Sequence, residues 1–195
     1  MTMFLTPFFL MNILLYNSRI SGFIMLATPI AMMLLSPIGG RVTDKHGSRT
    51  PAIAGLCLFA AGCFLMSNMT ETRPIIIVIA ALFLYGAGNG FAVPAINSSI
   101  FSTVPKADSG MASGMIVTMR NLGQVMGVAF ASAIMGMRQN YYLMNKAIPI
   151  SYTEARDKQV YLWAQRDTYY FGIFIIAVAI FCIIMAQVRK RAAEK

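Results

Sequence analysis

Acidic residues are scarce. Seven Asp and Glu stand against sixteen Lys and Arg in 195 residues, and none of the seven falls inside an apolar run. The chain also has one histidine, one tryptophan and three cysteines. A single His, His46, offers no metal-ligand spacing. There is no paired carboxylate, and no Ser–His or Cys–His set with a credible third member, so enzyme chemistry is not expected and no cofactor is implied. Cys57, Cys63 and Cys182 all lie in apolar runs and read as small buried apolar residues. The excess of cations, a net +9, is dispersed and shows no basic stripe interleaved with aromatics. Nucleic-acid binding is therefore excluded, and anionic lipid headgroups are the simpler partner for the charge.

Charge of either sign is low: 12% of residues are charged, against about 25% in soluble domains. What fills the chain instead is apolar residues, at 57%, in runs of the length needed to cross a bilayer. The expected fold is an all-α membrane protein, a transmembrane helix bundle. Residues 1–16 cover roughly 24 Å as a helix, short of the roughly 30 Å hydrocarbon core, and read as a truncated span. Full spans are expected over 20–38, 52–69, 75–96, 110–136 and 168–187. Pro29 should kink the second of these six segments, and Pro37 and Gly39 should end it. Pro51 should open the third. Asp108 or Ser109 should cap the helix after the Lys106 turn. Residues 138–167 read as a polar, extracytoplasmic loop between spans, with capping-box spacing at Ser151-Tyr152-Thr153-Glu154. An interfacial aromatic belt is expected from Tyr141, Tyr142, Tyr152, Tyr161, Trp163, Tyr169 and Tyr170. No charged stretch precedes the first apolar run, so no cleaved signal peptide is expected.

Between two apolar runs stands Gly39-Gly40-Arg41-Val42-Thr43-Asp44-Lys45-His46-Gly47-Ser48-Arg49. It is too charged for lipid and reads as a tight turn on one membrane face, with Asp44 near the start of the next helix. Glycine pairs at G-x-x-x-G spacing, Gly86/Gly90, Gly110/Gly114 and Gly123/Gly127, are expected to let helix backbones touch. Arg120 is the most informative single residue: a cation about ten residues into a span is costly and faces a cavity or a partner. Gln124 shares its helix face and Asn121 is adjacent. With Asn89 on the preceding span, these residues are the candidate lining of a substrate path. With no carboxylate in any span, the partner of Arg120 is expected to be a backbone carbonyl, a substrate or a residue outside this chain.

The spacing Gly40-x-x-x-Asp44-Lys45-x-Gly47-x-Arg49 resembles the signature loop of the major facilitator superfamily. In that family the acidic residue and its basic neighbours form a latch near the cytoplasmic gate. Ser48 departs from the pattern, standing where a second basic residue is common. The order Gly86-x-Gly88-x-Gly90-x-x-x-Pro94, then Ser109-Gly110…Ser113-Gly114…Arg120-Asn121-Leu122-Gly123-Gln124…Gly127, resembles the late helices of the fourteen-helix drug:proton antiporters in that superfamily. The resemblance implies a C-terminal portion of an exporter of lipophilic, often cationic, compounds in exchange for protons. It also implies that a missing N-terminal half supplies the other wall and the proton-coupling carboxylates, so that the chain alone is inactive. The implied location is the plasma membrane, with the signature loop and C-terminus cytoplasmic. Counts of Lys and Arg on the two sides do not decide that orientation by themselves. The alternative is a small, complete membrane protein that associates with or regulates another transporter.

Overall fold

The structure, a computed structural model, describes residues 2–70, 74–145 and 153–193; for 145, 153–156 and 186–193 it describes the backbone path alone. The Glu71–Arg73 turn, the cap spacing at Ser151–Glu154, Tyr152, and the side chains of Lys146, Arg156 and the basic tail Arg189-Lys190-Arg191 lie outside the described residues.

Among the described residues seven α-helices follow one another: α1 (Thr2–Phe8), α2 (Ser18–Met25), α3 (Ala27–His46), α4 (Arg49–Ser67), α5 (Ile75–Phe101), α6 (Ser109–Asn145) and α7 (Thr153–Ala193). A π-helical turn, Phe9–Ile13, extends α1, and a 3-10 turn, Lys106–Asp108, precedes α6. Among the described residues four stretches are long and apolar enough to cross a membrane: Ser18–His46, Arg49–Ser67, Ile75–Phe101 and Asp157–Met185. At 37 residues, α6 is about 55 Å long, but Arg120, Asn121 and Gln124 interrupt its apolar character.

The Pro29 kink falls at Leu26, where α2 and α3 part. Proline has no N–H to give the carbonyl four residues back, so the helix loosens in that turn. Pro37 and Gly39 do not end the helix as expected; α3 continues to His46. The reason lies in packing. A Cβ at Gly39 would lie 2.6 Å from the Gly90 carbonyl oxygen, so glycine here serves close approach of α3 to α5 rather than a turn. Thr43 returns its hydroxyl to the Gly39 carbonyl at 2.7 Å and adds no interruption.

α5 is the central element and packs against both α3 and α4. Its glycines alternate in direction. A Cβ at Gly86 would strike the Thr28 carbonyl on α3, whereas one at Gly88 would lie 2.6 Å from the Gly55 carbonyl on α4. The Thr28 hydroxyl also donates to the Leu82 carbonyl at 3.3 Å. α7 lies against α4 and α6, and one face of α1 and the π turn is buried: Leu5, Phe9 and Leu10 pack with Met66, Val78, Leu82 and Tyr169. Tyr169 is therefore core, not part of a surface belt. Among the cysteines only Cys63 is buried; Cys57 and Cys182 sit on outward faces of α4 and α7.

The polar loop expected over 138–167 is largely helix. α6 runs on to Asn145 and α7 begins at Thr153, and the two are fastened to each other. Asp167 Oδ2 accepts from the Tyr142 hydroxyl at 2.7 Å and from Arg138 Nε at 3.3 Å. Tyr142 also packs on Trp163, ring centroids 5.5 Å apart. Arg138, Tyr142 and Asp167, polar residues of the stretch that reads as a loop, cross-link two helices.

Candidate functional site

A cleft of about 640 Å³ opens between α4, α5, α6 and α7. The α5 wall is one helical stripe, Asn89, Val93, Ile96, Asn97 and Ile100; the α6 wall is another, Ile116, Met119, Arg120, Gly123, Gln124 and Gly127. Along each stripe the residues recur at three or four, with adjacent pairs at Ile96/Asn97, Met119/Arg120 and Gly123/Gln124, so each is one broad helix face. Phe59 and Cys63 of α4, Gly172, Ile175 and Ile176 of α7, Tyr85 and Thr2 complete the lining.

Arg120 Nη2 donates to Asn97 Oδ1 at 3.3 Å across the cleft. The partner is a side-chain amide, a class not among those anticipated for Arg120. Asn97 was legible in principle, because it lies eight residues after Asn89 and so falls on the same face two turns later. Asn89, also in the lining, gives its amide to the Tyr85 carbonyl at 3.2 Å. Asn121 is exposed and does not line the cleft. The outcome is a mainly apolar groove with one guanidinium and a few amides at defined points. Such a lining suits a lipophilic solute that carries a hydrogen-bonding group.

The small-residue pairs behave differently on different helices. Gly86 and Gly90 face α3. Gly110, Gly114, Gly123 and Gly127 would meet nothing within 4 Å if they carried a Cβ. They form no helix–helix seam among the described residues, contrary to expectation, because α6 makes its close contacts with α7 at the other end of its length. Gly123 and Gly127 widen the cleft instead.

The signature residues Gly40, Asp44 and Lys45 are in the last two turns of α3, Gly47 is the link, and Arg49 is the first residue of α4. The turn is thus two residues long, and Gly47 alone takes a left-handed backbone, φ +78°. Asp44 stands at the end of α3, not at the start of the next helix. A capping carboxylate was inferred there because the run of polar residues looked like loop; the helix in fact extends into it. Ser109 likewise does not cap α6 but donates to the Lys106 carbonyl at 2.9 Å.

The sequence profile of the Major Facilitator Superfamily matches residues 1–145. The chain belongs to that superfamily. It is 27% identical over 172 residues to the riboflavin transporter RibZ of Clostridioides difficile strain 630, covering 88% of this chain and 37% of that protein. It is 31% identical over 131 residues to the multidrug resistance protein Stp of Mycobacterium tuberculosis H37Rv, covering 67% of this chain and 24% of Stp. With the multidrug transporter protein MdtP of Bacillus subtilis strain 168 it shares 25% identity over 143 residues, covering 73% and 26%. The facilitator chain described here therefore spans between 24% and 37% of the length of these relatives. It is a multi-pass membrane protein whose helices make up part of a facilitator bundle.

Proposed function

We propose that this facilitator chain forms one wall of the solute path in a secondary transporter that exports lipophilic compounds in exchange for protons. The observation that carries the reading is the cleft in which Arg120, Asn97, Asn89 and Gln124 punctuate an otherwise apolar lining. A fixed cation inside a membrane protein is retained where it faces a cavity. Facilitators move solute by rocking two halves about a site near the midplane. On this reading the opposing wall and the proton-coupling carboxylates come from facilitator sequence beyond these residues, in a plasma-membrane protein whose α3–α4 link and C-terminus face the cytoplasm. A cationic solute sits away from Arg120, against Phe59, Tyr85 and the aliphatic side chains.

The test is efflux of a lipophilic fluorescent dye from cells producing the intact transporter. Arg120→Ala should slow efflux several-fold with unchanged protein level in the membrane. Cysteines placed at Asn97 and Gln124, in a background lacking Cys57, Cys63 and Cys182, should react with a water-soluble thiol reagent and be protected by dye. Efflux at the original rate from Arg120→Ala, together with unreactive cysteines, would remove the cleft from the transport path.

A further inference from the structure

Away from the cleft wall just described, α7 buries two polar side chains one turn apart. Gln165 is 2% exposed and Tyr169 is 0% exposed. Neither amide atom of Gln165 nor the Tyr169 hydroxyl has a hydrogen-bond partner among the described residues. Buried polar atoms are nearly always partnered, and where protein does not supply the partner, bound water does. Three such atoms together are unusual enough to require an account.

The surrounding hydroxyls are already committed to backbone. Thr6 lies beside Tyr169 but donates to the Thr2 carbonyl at 2.8 Å. Thr168 donates to the Ala164 carbonyl at 2.7 Å, and Tyr161 to the Leu5 carbonyl at 3.4 Å. These hydroxyl oxygens keep acceptor capacity, and Thr6 Oγ1 stands where it can accept from the Tyr169 hydroxyl, but none of them is bonded to Gln165.

Position gives the pair its meaning. Thr2 and Gly172 line the large cleft. Ile13 and Tyr161 line a second cleft of about 300 Å³, whose polar lining is Asn12, Gln139, Asp157 and Lys158. α1 and α7 thus run in opposite directions between the same two clefts. From Tyr161 to Gly172 is about 16 Å of helix, and Gln165 and Tyr169 fall between them on the inward side. Beyond Tyr169 the polar groups continue with Thr2, which meets Cys63 Sγ at 4.0 Å.

We propose that Gln165 and Tyr169 hold a short file of ordered water that joins the Asp157–Lys158 cleft to the large cleft. The path is too narrow for a solute but passes protons. Each oxygen in the file accepts a proton from one neighbour and releases another to the next, so no charge rests on the amide or the phenol. The amide and phenol supply three donor hydrogens and two acceptor oxygens, enough to give each water the two or more partners it needs. This inference goes beyond the export reading and does not depend on it, because hydration of the α1–α7 seam is independent of which solute the large cleft accepts.

Radiolytic hydroxyl-radical footprinting of the intact protein in membranes tests the hydration directly, since radicals formed from bound water oxidise the side chain beside it. Phe9 is the internal standard, also 0% exposed. After correction for intrinsic reactivity, Tyr169 should oxidise several-fold faster than Phe9, and Gln165→Leu should return it to the Phe9 rate. Tyr169 as protected as Phe9 would overturn the proposal. The proton path is tested in vesicles loaded with a pH-sensitive dye. The pair Gln165→Leu and Tyr169→Phe should slow proton entry several-fold; unchanged entry would refute conduction even if the footprint is positive. Should the double variant fail to fold, the footprint on the unaltered protein still decides hydration.

Discussion

Arg120 on α6 and Asn97 on α5 meet at 3.3 Å, a side-chain hydrogen bond between the two helices. It fixes the width of the cleft at its one charged point. Arg120 is exposed, so the bond is weakened by competition with solvent and is worth about 1 kcal/mol or less. A double-mutant cycle with Asn97→Ala and Arg120→Ala, read by thermal unfolding in detergent, should return a coupling of that size. A coupling of zero would mean that the two side chains are only neighbours.

The α5 glycines separate packing from permissiveness. At Gly86 a Cβ would strike the Thr28 carbonyl and lie 2.9 Å from the Ala31 Cβ, both on rigid parts of α3. Gly86→Ala should therefore destabilise the protein by about 1–3 kcal/mol, the range for overpacking. At Gly114 nothing lies within 4 Å, so Gly114→Ala should raise stability by about 0.5–1 kcal/mol through helix propensity alone. Loss of stability at Gly114 would reveal a helix packed there that these residues do not include.

Much of the architecture was legible because apolar run length is a strong signal. The runs at 52–69 and 75–96 are the cores of α4 and α5, and Pro29 marks a real break. The boundaries failed where polar residues continue a helix. Gly39 to His46 reads as a turn by composition, yet remains in α3 because Gly39 packs on Gly90. The 138–167 stretch reads as a loop, yet Arg138, Tyr142 and Asp167 use their polarity to join α6 to α7. Of the candidate cleft residues, Arg120, Asn89 and Gln124 come together, because spacing on a helix is readable one helix at a time. Asn97 escaped notice because pairing between helices is not encoded in local spacing. The same limit applied to Tyr169, whose burial depends on α1 and α4.

Tyr142 gives a pH signature for the α6–α7 junction. Its hydrogen bond to the Asp167 carboxylate holds the phenol's pKa above its ordinary value of 10.0; burial and the carboxylate charge act in the same direction, against Arg138 and Arg166. The neutral phenol is the form that binds, so its stabilising contribution is complete below the ordinary phenol range. It is lost as pH rises through the raised folded-state value. In an absorbance titration of the phenolates, Asp167→Asn should bring one of the late-titrating tyrosines down toward the ordinary phenol value. An unchanged profile in Asp167→Asn would place the carboxylate elsewhere in solution.

Asp44 is the residue at which stability and function should part. It lies in the last turn of α3, exposed, where the free carbonyls give the helix end a negative character. A carboxylate there is unfavourable, while Lys45 and His46 are favourable. Asp44→Asn should therefore stabilise the protein by about 0.3–1 kcal/mol in detergent unfolding, the size of an exposed charge–dipole contribution. If Asp44 serves the gate, as the facilitator signature implies, the same substitution should slow dye efflux from cells making the intact transporter several-fold. The two readouts moving in opposite directions would mark Asp44 as a residue kept for the transport cycle at a cost to the resting fold. A destabilised Asp44→Asn would instead show that the carboxylate already has a cationic partner in this state, and the latch would then be structural.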